Sequence, residues 1–174
     1  QVISIGTSTG FATADTNLWP PFVQLLLIFF MFQCACSGST TGGIKIDRTV
    51  LLWHALKKRI KKVQHPHAVV RAKIDGTAID DDVLEATLLF ITLFIVMAFL
   101  STLTLGALGM DSLTAFSASA ATLANVGPGF GLVGTASNFS FIPDTGLWIL
   151  SFNMLLGRLE IFGLLLFVLL RYWK

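Results

Sequence analysis

The sequence predicts an all-α membrane protein, and two observations support that fold class. Hydrophobic residues make up 54% of the 174 residues and charged residues only 13%, about half the charged share of an ordinary soluble domain. Glycines and a proline also interrupt the apolar segments, most densely in the uncharged stretch from Thr122 to Gly131. These residues rule out a helix there, and irregular backbone is tolerated at membrane depth only inside protein or beside water. We therefore expect spanning helices joined to shorter, re-entrant segments.

The basic residues predict the orientation of the chain in the membrane. Nine of the twelve Lys and Arg lie in residues 45–73, and the other three lie in residues 158–174. Cytoplasmic segments carry an excess of Lys and Arg, so both regions are predicted to be cytoplasmic. The loops around Asp15 and in residues 138–144 are then predicted to face outward.

The first part of the chain is predicted to be a helix interrupted by a loop. Pro20 and Pro21 suit a first helical turn, and an uncharged apolar helix continues from them to Cys36. Its 17 residues extend about 25 Å, slightly less than the ~30 Å hydrocarbon core. Small residues over 37–43 end this helix, and a second helix is predicted over residues 44–63. Loop 37–43 is either an ordinary turn at the cytoplasmic membrane surface or a loop inside a broken spanning helix, along a water-filled path.

The second part of the chain has two long apolar segments with a short one between them. Residues 86–110 and 145–170 are long enough to span a bilayer. Residues 113–124 form a segment of only 12 residues, about 18 Å of helix, which is too short to span. We predict a re-entrant half-helix here, capped by Asp111 or Ser112 and ending at the glycine stretch.

An internal repeat relates the two parts. The sequence from Asp15 to Trp19 matches that from Asp144 to Trp148 in four of five positions, and each copy opens an apolar helix. We divide the chain into the end of one repeat (1–63), a cytoplasmic connector (64–82) and a complete second repeat (83–174). The chain begins without an initiator Met and in the middle of a motif, so we expect it to be the C-terminal part of a longer protein.

Four motifs give the chain a resemblance to a known family: Ser8-Thr-Gly-Phe-Ala-Thr13, Gly38-Ser-Thr-Thr-Gly-Gly-Ile-Lys45, Asn125-Val-Gly-Pro-Gly129 and Gly157-Arg-Leu-Glu160. In them the chain resembles the Trk/Ktr/HKT potassium-transport superfamily, specifically its bacterial TrkH-type subunits. The resemblance implies potassium-channel-like repeats of helix, pore helix, filter and helix, from the third filter loop onward. It also implies the ion-binding residues: potassium would meet carbonyls of Ser8, Thr9, Asn125 and Val126, with Gly10 and Gly127 as filter glycines.

The function that follows is potassium uptake through a carbonyl-lined filter, and no enzyme activity is expected. Carbonyls of a short extended loop replace the water shell of a cation. The resemblance implies that this cation is potassium, which is transported, and no other cofactor is predicted. The predicted location is the cell inner membrane, crossed several times. The resemblance further implies a homodimer and a cytosolic ring of nucleotide-binding regulator subunits; membrane lipid is an expected partner, and nucleic acid is not.

Arg158 and loop 37–43 are the candidates for a gate. Arg158 lies about 20 Å down the final helix, where a charged side chain is costly unless it is paired or faces water. Glu160 is two residues away and points to a different side of the helix. We predict that Arg158 bonds to carbonyls of the loop, as the resemblance also implies, and the loop's glycines are Gly38, Gly42 and Gly43. The alternative is that Arg158 pairs with a group from another repeat.

The basic stretch 45–73 is a candidate docking surface for the regulator, and its densest part contains Lys57, Lys58, Lys61 and Lys62. The alternative is that it only maintains topology and contacts anionic lipid.

Other functions stay open at this point. The same fold would suit a non-selective monovalent cation transporter or a sodium and potassium transporter, and glycine loops would also suit a membrane scaffold or a facilitator of uncharged solutes. A phosphate-binding loop is disfavoured, because Ile44 separates Gly43 from Lys45 and the motif needs lysine directly after glycine. The two cysteines, Cys34 and Cys36, are too close together to staple a fold.

Overall fold

The computed structural model describes residues 1–36, 38–39, 41–65, 73–74 and 77–159, and most of them are helical. In chain order the α-helices are α1 (Val2–Gly6), α2 (Pro21–Phe32), α3 (Ile46–Gln64), α4 (Asp81–Ala107), α5 (Ser112–Leu123) and α6 (Asp144–Arg158). Short 3-10 helices span Thr16–Leu18 and Gly131–Val133. Two pairs of two-residue strands complete the described fold: β1 (Gln33–Cys34) parallel to β2 (Ile44–Lys45), and β3 (Lys73–Ile74) antiparallel to β4 (Thr77–Ala78).

Helix α5 lies at the centre of the described fold. Nine of its twelve residues are buried, and α2, α4 and α6 pack around it. It consists mainly of Ala, Ser and Thr, whose small side chains let neighbouring backbones approach closely. The hydroxyls of Ser101 in α4 and Ser119 in α5 are 2.6 Å apart, and Ser119 also donates to the Ala98 carbonyl at 2.9 Å. The short helix is therefore enclosed by its longer neighbours.

The lengths of the helices agree with the sequence prediction in the second part of the chain. Helix α5 covers 12 residues, and its N-cap is Asp111, whose carboxylate accepts from the Leu113 N–H at 3.2 Å. Helix α4, with 27 residues, is the one described helix that is long and apolar enough to cross a membrane, and the apolar helix α2 is shorter. The predicted extension of α6 to Leu170 lies outside the described residues.

Helix α2 ends earlier than predicted, at Phe32 instead of Cys36. The reason is the parallel pairing of β1 with β2, which gives the backbone groups after α2 partners that a continued helix would remove. Because β1 and β2 run in the same direction, the chain between them has to return to the level of the start of β1 before β2 begins. Helix α3 starts directly after β2 and contains no buried residue.

Two polar contacts tie α3 to α4 near the connector. The Lys58 ammonium forms an ion pair with the Asp81 carboxylate, and the Arg48 guanidinium lies 3.8 Å from the centroid of the Phe90 ring. Lys58 is therefore a structural contact as well as part of the basic face.

Candidate functional site

The first predicted filter loop follows the short helix α1. The Thr9 N–H donates to the Ser4 carbonyl at 2.8 Å and the Ser8 N–H donates to the Ile5 carbonyl at 3.0 Å, the paired bonds of a Schellman motif. Ser8 takes the left-handed position of that motif with φ +53°, and Gly10 has φ +78°. The loop therefore turns sharply away from the helix instead of extending it.

The second predicted filter loop has the same backbone geometry after α5. The Val126 N–H donates to the Ala121 carbonyl at 2.9 Å and the Asn125 N–H donates to the Thr122 carbonyl at 3.1 Å. Asn125 has φ +55° and Gly127 has φ +107°. Helices α1 and α5 differ in length and sequence, yet both end in the same type of turn. In each loop the first and third residues have a left-handed backbone conformation.

The two loops lie against each other. Gly10 approaches the Val126 carbonyl so closely that an added Cβ would overlap the oxygen, and the Ser8 hydroxyl donates to the Ala124 carbonyl at 3.3 Å. Because α5 points its C-terminal end at this junction, its negative dipole end would favour a cation nearby. The residues predicted for the filter are therefore brought together as two adjacent turns, and the convergence of their carbonyls on one axis stays a prediction.

Neutral oxygen atoms dominate the surroundings of the first loop. The Thr7 and Thr9 hydroxyls are 2.6 Å apart, and the Ser4 hydroxyl donates to the Phe11 carbonyl at 2.6 Å. Over the described ranges of the chain, no three His, Cys, Asp or Glu side chains are grouped so that they could hold a metal ion. The oxygen atoms described around this loop are accordingly those of carbonyls and hydroxyls.

Loop 37–43 packs Gly42 against the end of α5 and Gly43 against the end of α2. A Cβ added at Gly42 would lie 2.9 Å from the Ala124 carbonyl oxygen, and one at Gly43 would lie 2.8 Å from the Cys34 sulfur. Gly43 also has φ +79°. Gly38, in contrast, has open space around it and is exposed. The loop is thus anchored at one end and open at the other.

The C-terminal end of α6 also packs against the end of α5 and the second predicted filter loop. Gly157 lies so close to the Leu123 carbonyl that an added Cβ would overlap the oxygen, and the Asn125 amide donates from Nδ2 to the Met154 carbonyl at 3.2 Å. Arg158 is the next residue and the last of α6, and it is exposed within the described chain. Its predicted bond to loop 37–43 stays a prediction, and Glu160 lies outside the described residues.

Three contributors to this site were not predicted from the sequence: the Asn125 side chain, the backbone of Gly157 and the buried Cys34. Asn is the residue other than glycine that most readily adopts the left-handed conformation, and this preference was the one available signal for Asn125. The tight contact of Gly157 and the place of Cys34 depend on segments far apart in the chain, so no local pattern indicates them.

The segment before α2 is joined to the segment after α5 by polar contacts. The Asn17 side chain bonds to both backbone groups of Gly131, accepting from its N–H at 2.8 Å and donating to its carbonyl at 2.9 Å. Thr135 accepts from the Thr16 N–H at 3.1 Å and donates to the Ala14 carbonyl at 3.0 Å. These bonds hold residues 14–17 against residues 131–135.

Comparison with known proteins decides the family. The profile of the TrkH family, described as "Cation transport protein", matches residues 1–172. The chain belongs to the TrkH family. This family comprises transport proteins and not enzymes, as the sequence predicts.

Relatives of this TrkH family member are potassium uptake proteins by name. It is 41% identical over 174 residues to the Trk system potassium uptake protein TrkH of Vibrio parahaemolyticus and 38% identical to that of Escherichia coli K12, with all of the chain covered in both. It is 33% identical over 171 residues to the TrkG protein of Escherichia coli K12. The chain spans about 36% of the length of the TrkH relatives.

The fold has a counterpart among solved structures. The crystal structure of the potassium transporter TrkH from Vibrio parahaemolyticus matches this TrkH family chain with a TM-score of 0.86 at 41% identity. The match covers 98% of this chain and 36% of that one, so the likeness extends over both loops and α6.

Proposed function

We propose that this chain supplies two adjacent filter loops of a membrane pore for potassium uptake. The observation that supports the proposal best is the repeated turn, in which Ser8 and Asn125 adopt the same left-handed conformation and the following loops touch. The names of the relatives at 38–41% identity point to the same ion.

In this proposal the backbone carbonyls bind the ion. The carbonyls of Ser8, Thr9, Asn125 and Val126 would replace the water shell of the cation, as carbonyl rings do in potassium filters. The C-terminal end of α5 would add a fixed partial negative charge without burying an ionised side chain. Potassium is then a transported substrate that binds weakly enough to leave.

The arrangement in the membrane is part of the proposal. Residues 1–63 would end the third pore repeat, residues 64–82 would connect it in the cytoplasm, and residues 83–174 would form the fourth repeat of a multi-pass inner-membrane protein. Helix α4, an apolar helix of 27 residues, has the length of a spanning helix. Helix α5, at 12 residues, would enter from outside and end near the bilayer middle.

We propose in addition that loop 37–43 and Arg158 form the gate below the filter. Two contacts support this assignment: Gly42 packs against the Ala124 carbonyl, and Gly157 packs against the Leu123 carbonyl. Both candidate gate elements therefore meet the end of the pore helix. A guanidinium beside this path would repel cations until the loop moved.

The proposed partners are a second copy of the protein, membrane lipid and a cytosolic nucleotide-binding regulator. The regulator would meet the basic face of α3, whose exposed residues include Lys57, Lys61 and Lys62. Nine basic residues in 45–73 give this face the charge to attract an acidic surface.

The test is ion flux into vesicles that contain the whole protein, comparing potassium, sodium and choline, with Gly127→Ser against Gly109→Ser. Both glycines have positive φ, +107° and +89°, and both have open space around them, so the two substitutions introduce the same backbone strain of about 1–2 kcal/mol. We expect Gly127→Ser to lower the potassium to sodium flux ratio about tenfold, the equivalent of about 1.4 kcal/mol. Gly109→Ser, at the end of α4, is expected to keep the wild-type ratio.

The same assay separates the other candidate functions. Equal wild-type fluxes of potassium and sodium would indicate a non-selective cation pathway, and flux of an uncharged solute without ions would indicate a facilitator. An unchanged ratio in Gly127→Ser would contradict the filter role of the second loop.

A further inference from the structure

The Asn125 side chain lies where three separate parts of the chain meet. Its Nδ2 atom donates to the Met154 carbonyl in α6 at 3.2 Å. A Cβ added at Gly42 would lie 2.9 Å from the same nitrogen, and one added at Gly157 would lie 2.8 Å from it. The amide is therefore in contact with loop 37–43 on one side and with α6 on the other.

Neither neighbouring glycine leaves room for a larger residue. The backbones of Gly42 and Gly157 come close to the carbonyls of Ala124 and Leu123, which directly precede Asn125. Loop 37–43 and α6 thus converge on the last turn of the pore helix, and the Asn125 amide fills the remaining space between them.

The first filter loop has no equivalent connection. Ser8 occupies the matching left-handed position, but its hydroxyl donates to the Ala124 carbonyl and lies 3.6 Å from the Cys34 sulfur. Its side chain therefore links the first loop to the second loop and to the end of α2. Of these two loops, as far as the structure describes their surroundings, the second reaches α6 through a side-chain amide.

We propose that Asn125 is a positioning residue that couples loop 37–43 to the second filter loop. This inference rests on the proposed pore function and assigns to the side chain a role separate from that of its carbonyl. When Gly42 moves away from the amide, Asn125 loses one of its two packing partners. Its backbone, which is held left-handed at φ +55°, then loses the restraint that fixes the neighbouring carbonyls. Loop position and filter geometry are linked through this one side chain.

Two variants isolate the side chain from the backbone. Asn125→Gly keeps a residue that favours positive φ and removes the amide, and Asn125→Asp keeps the shape and removes both N–H donors. The control is Ser151→Ala, one turn earlier on α6, which removes a hydroxyl bonded to the Leu147 carbonyl at 2.8 Å and leaves the filter turn untouched.

Loop position can be measured with the chain's own cysteines. Cys36 is exposed beside the loop and Cys34 is buried. Labelling of the Cys36 thiol by a membrane-impermeant maleimide, followed by mass spectrometry of the whole protein in vesicles, reports loop exposure, and Cys34 serves as an internal control. We expect both Asn125 variants to label Cys36 about fivefold faster, the population change that loss of one hydrogen bond produces, with Cys34 protected and Ser151→Ala at the wild-type rate. The potassium to sodium flux ratio is expected to fall in the same two variants.

If the Cys36 thiol of Asn125→Gly is labelled at the wild-type rate, the coupling is overturned. Labelling of Cys34 in the same variant would also overturn it, because the whole region would then have opened. The labelling needs no ion flux. A wild-type protein that fails to transport potassium would contradict the proposed function, and the labelling rates would still decide the coupling.

Discussion

At the scale of single residues, the close contacts in the site are made by glycine backbones against carbonyl oxygens. Gly10 meets the Val126 carbonyl and Gly157 meets the Leu123 carbonyl, in both cases at a separation that no side chain permits. These contacts bring the first loop and α6 within reach of the same turn. The packing at the end of α5 therefore requires glycine, which has no side chain, at both positions.

Replacing Gly157 by alanine is expected to destabilise the protein by about 1–3 kcal/mol, the usual effect of forcing an extra carbon into a packed site. The new Cβ would push α6 away from the end of α5. The matched control is Gly106→Ala, a helical glycine in α4 with open space around it, which is expected to stabilise its helix by about 0.5–1 kcal/mol. Thermal unfolding in detergent measures both effects, and equal midpoints for the two variants would contradict the packing argument.

At the scale of elements, the chain leaves helical geometry between α2 and α3. The strands β1 and β2 pair with each other on either side of loop 37–43, which ties the end of α2 to the start of α3. The glycines at the far end of the loop are packed, and Gly38 is in open space.

If the proposed gate is correct, Arg158→Ala and deletion of residues 39–41 each raise basal potassium flux. Removing the guanidinium would remove the positive barrier, and we expect an increase of about tenfold, equivalent to about 1.4 kcal/mol. Arg158→Lys keeps the charge and is the control, with flux near the wild-type value. Flux at or below wild type in folded Arg158→Ala and deletion proteins would show that the gate assignment is wrong.

The elements also show how far sequence reasoning reaches. The length of α5, its cap at Asp111 and the positive φ of Gly10 and Gly127 were predictable, because they depend on local composition and on the conformational freedom of glycine. The early end of α2 was not, because residues 33–36 are uncharged and the cause is a strand partner eleven positions later. The role proposed for Asn125 could not be predicted from the sequence either, because its neighbours come from α6 and loop 37–43.

At the scale of the whole molecule, the described chain buries α5 among its neighbours and carries a basic helix at its edge. Helix α5 is enclosed by its neighbours, while α3 has no buried residue and carries exposed lysines. Lys58 differs from the others because it forms an ion pair with Asp81. The basic face available to a partner is therefore smaller than the sequence predicts.

Changing Lys57, Lys61 and Lys62 together to glutamine is expected to weaken capture of the regulator, because the proposed docking is electrostatic and falls with charge. Lys58 is left unchanged to preserve its bond to α4. The triple change to arginine keeps all three charges and is expected to bind like wild type. Pull-down with the purified regulator is the measurement; equal capture by the glutamine variant, with binding to anionic vesicles reduced, would favour the lipid role instead.

The polar contacts between residues 14–17 and residues 131–135 have a consequence for biosynthesis. Asn17 bonds to a residue 114 positions later, and Ala14 bonds to one 121 positions later. Contacts so distant in the chain form late, because the entropy of closing the intervening loop must be overcome first. Residues 14–17 therefore leave the ribosome well before their bonding partners exist, and this junction can close only after α4 and α5 have been made.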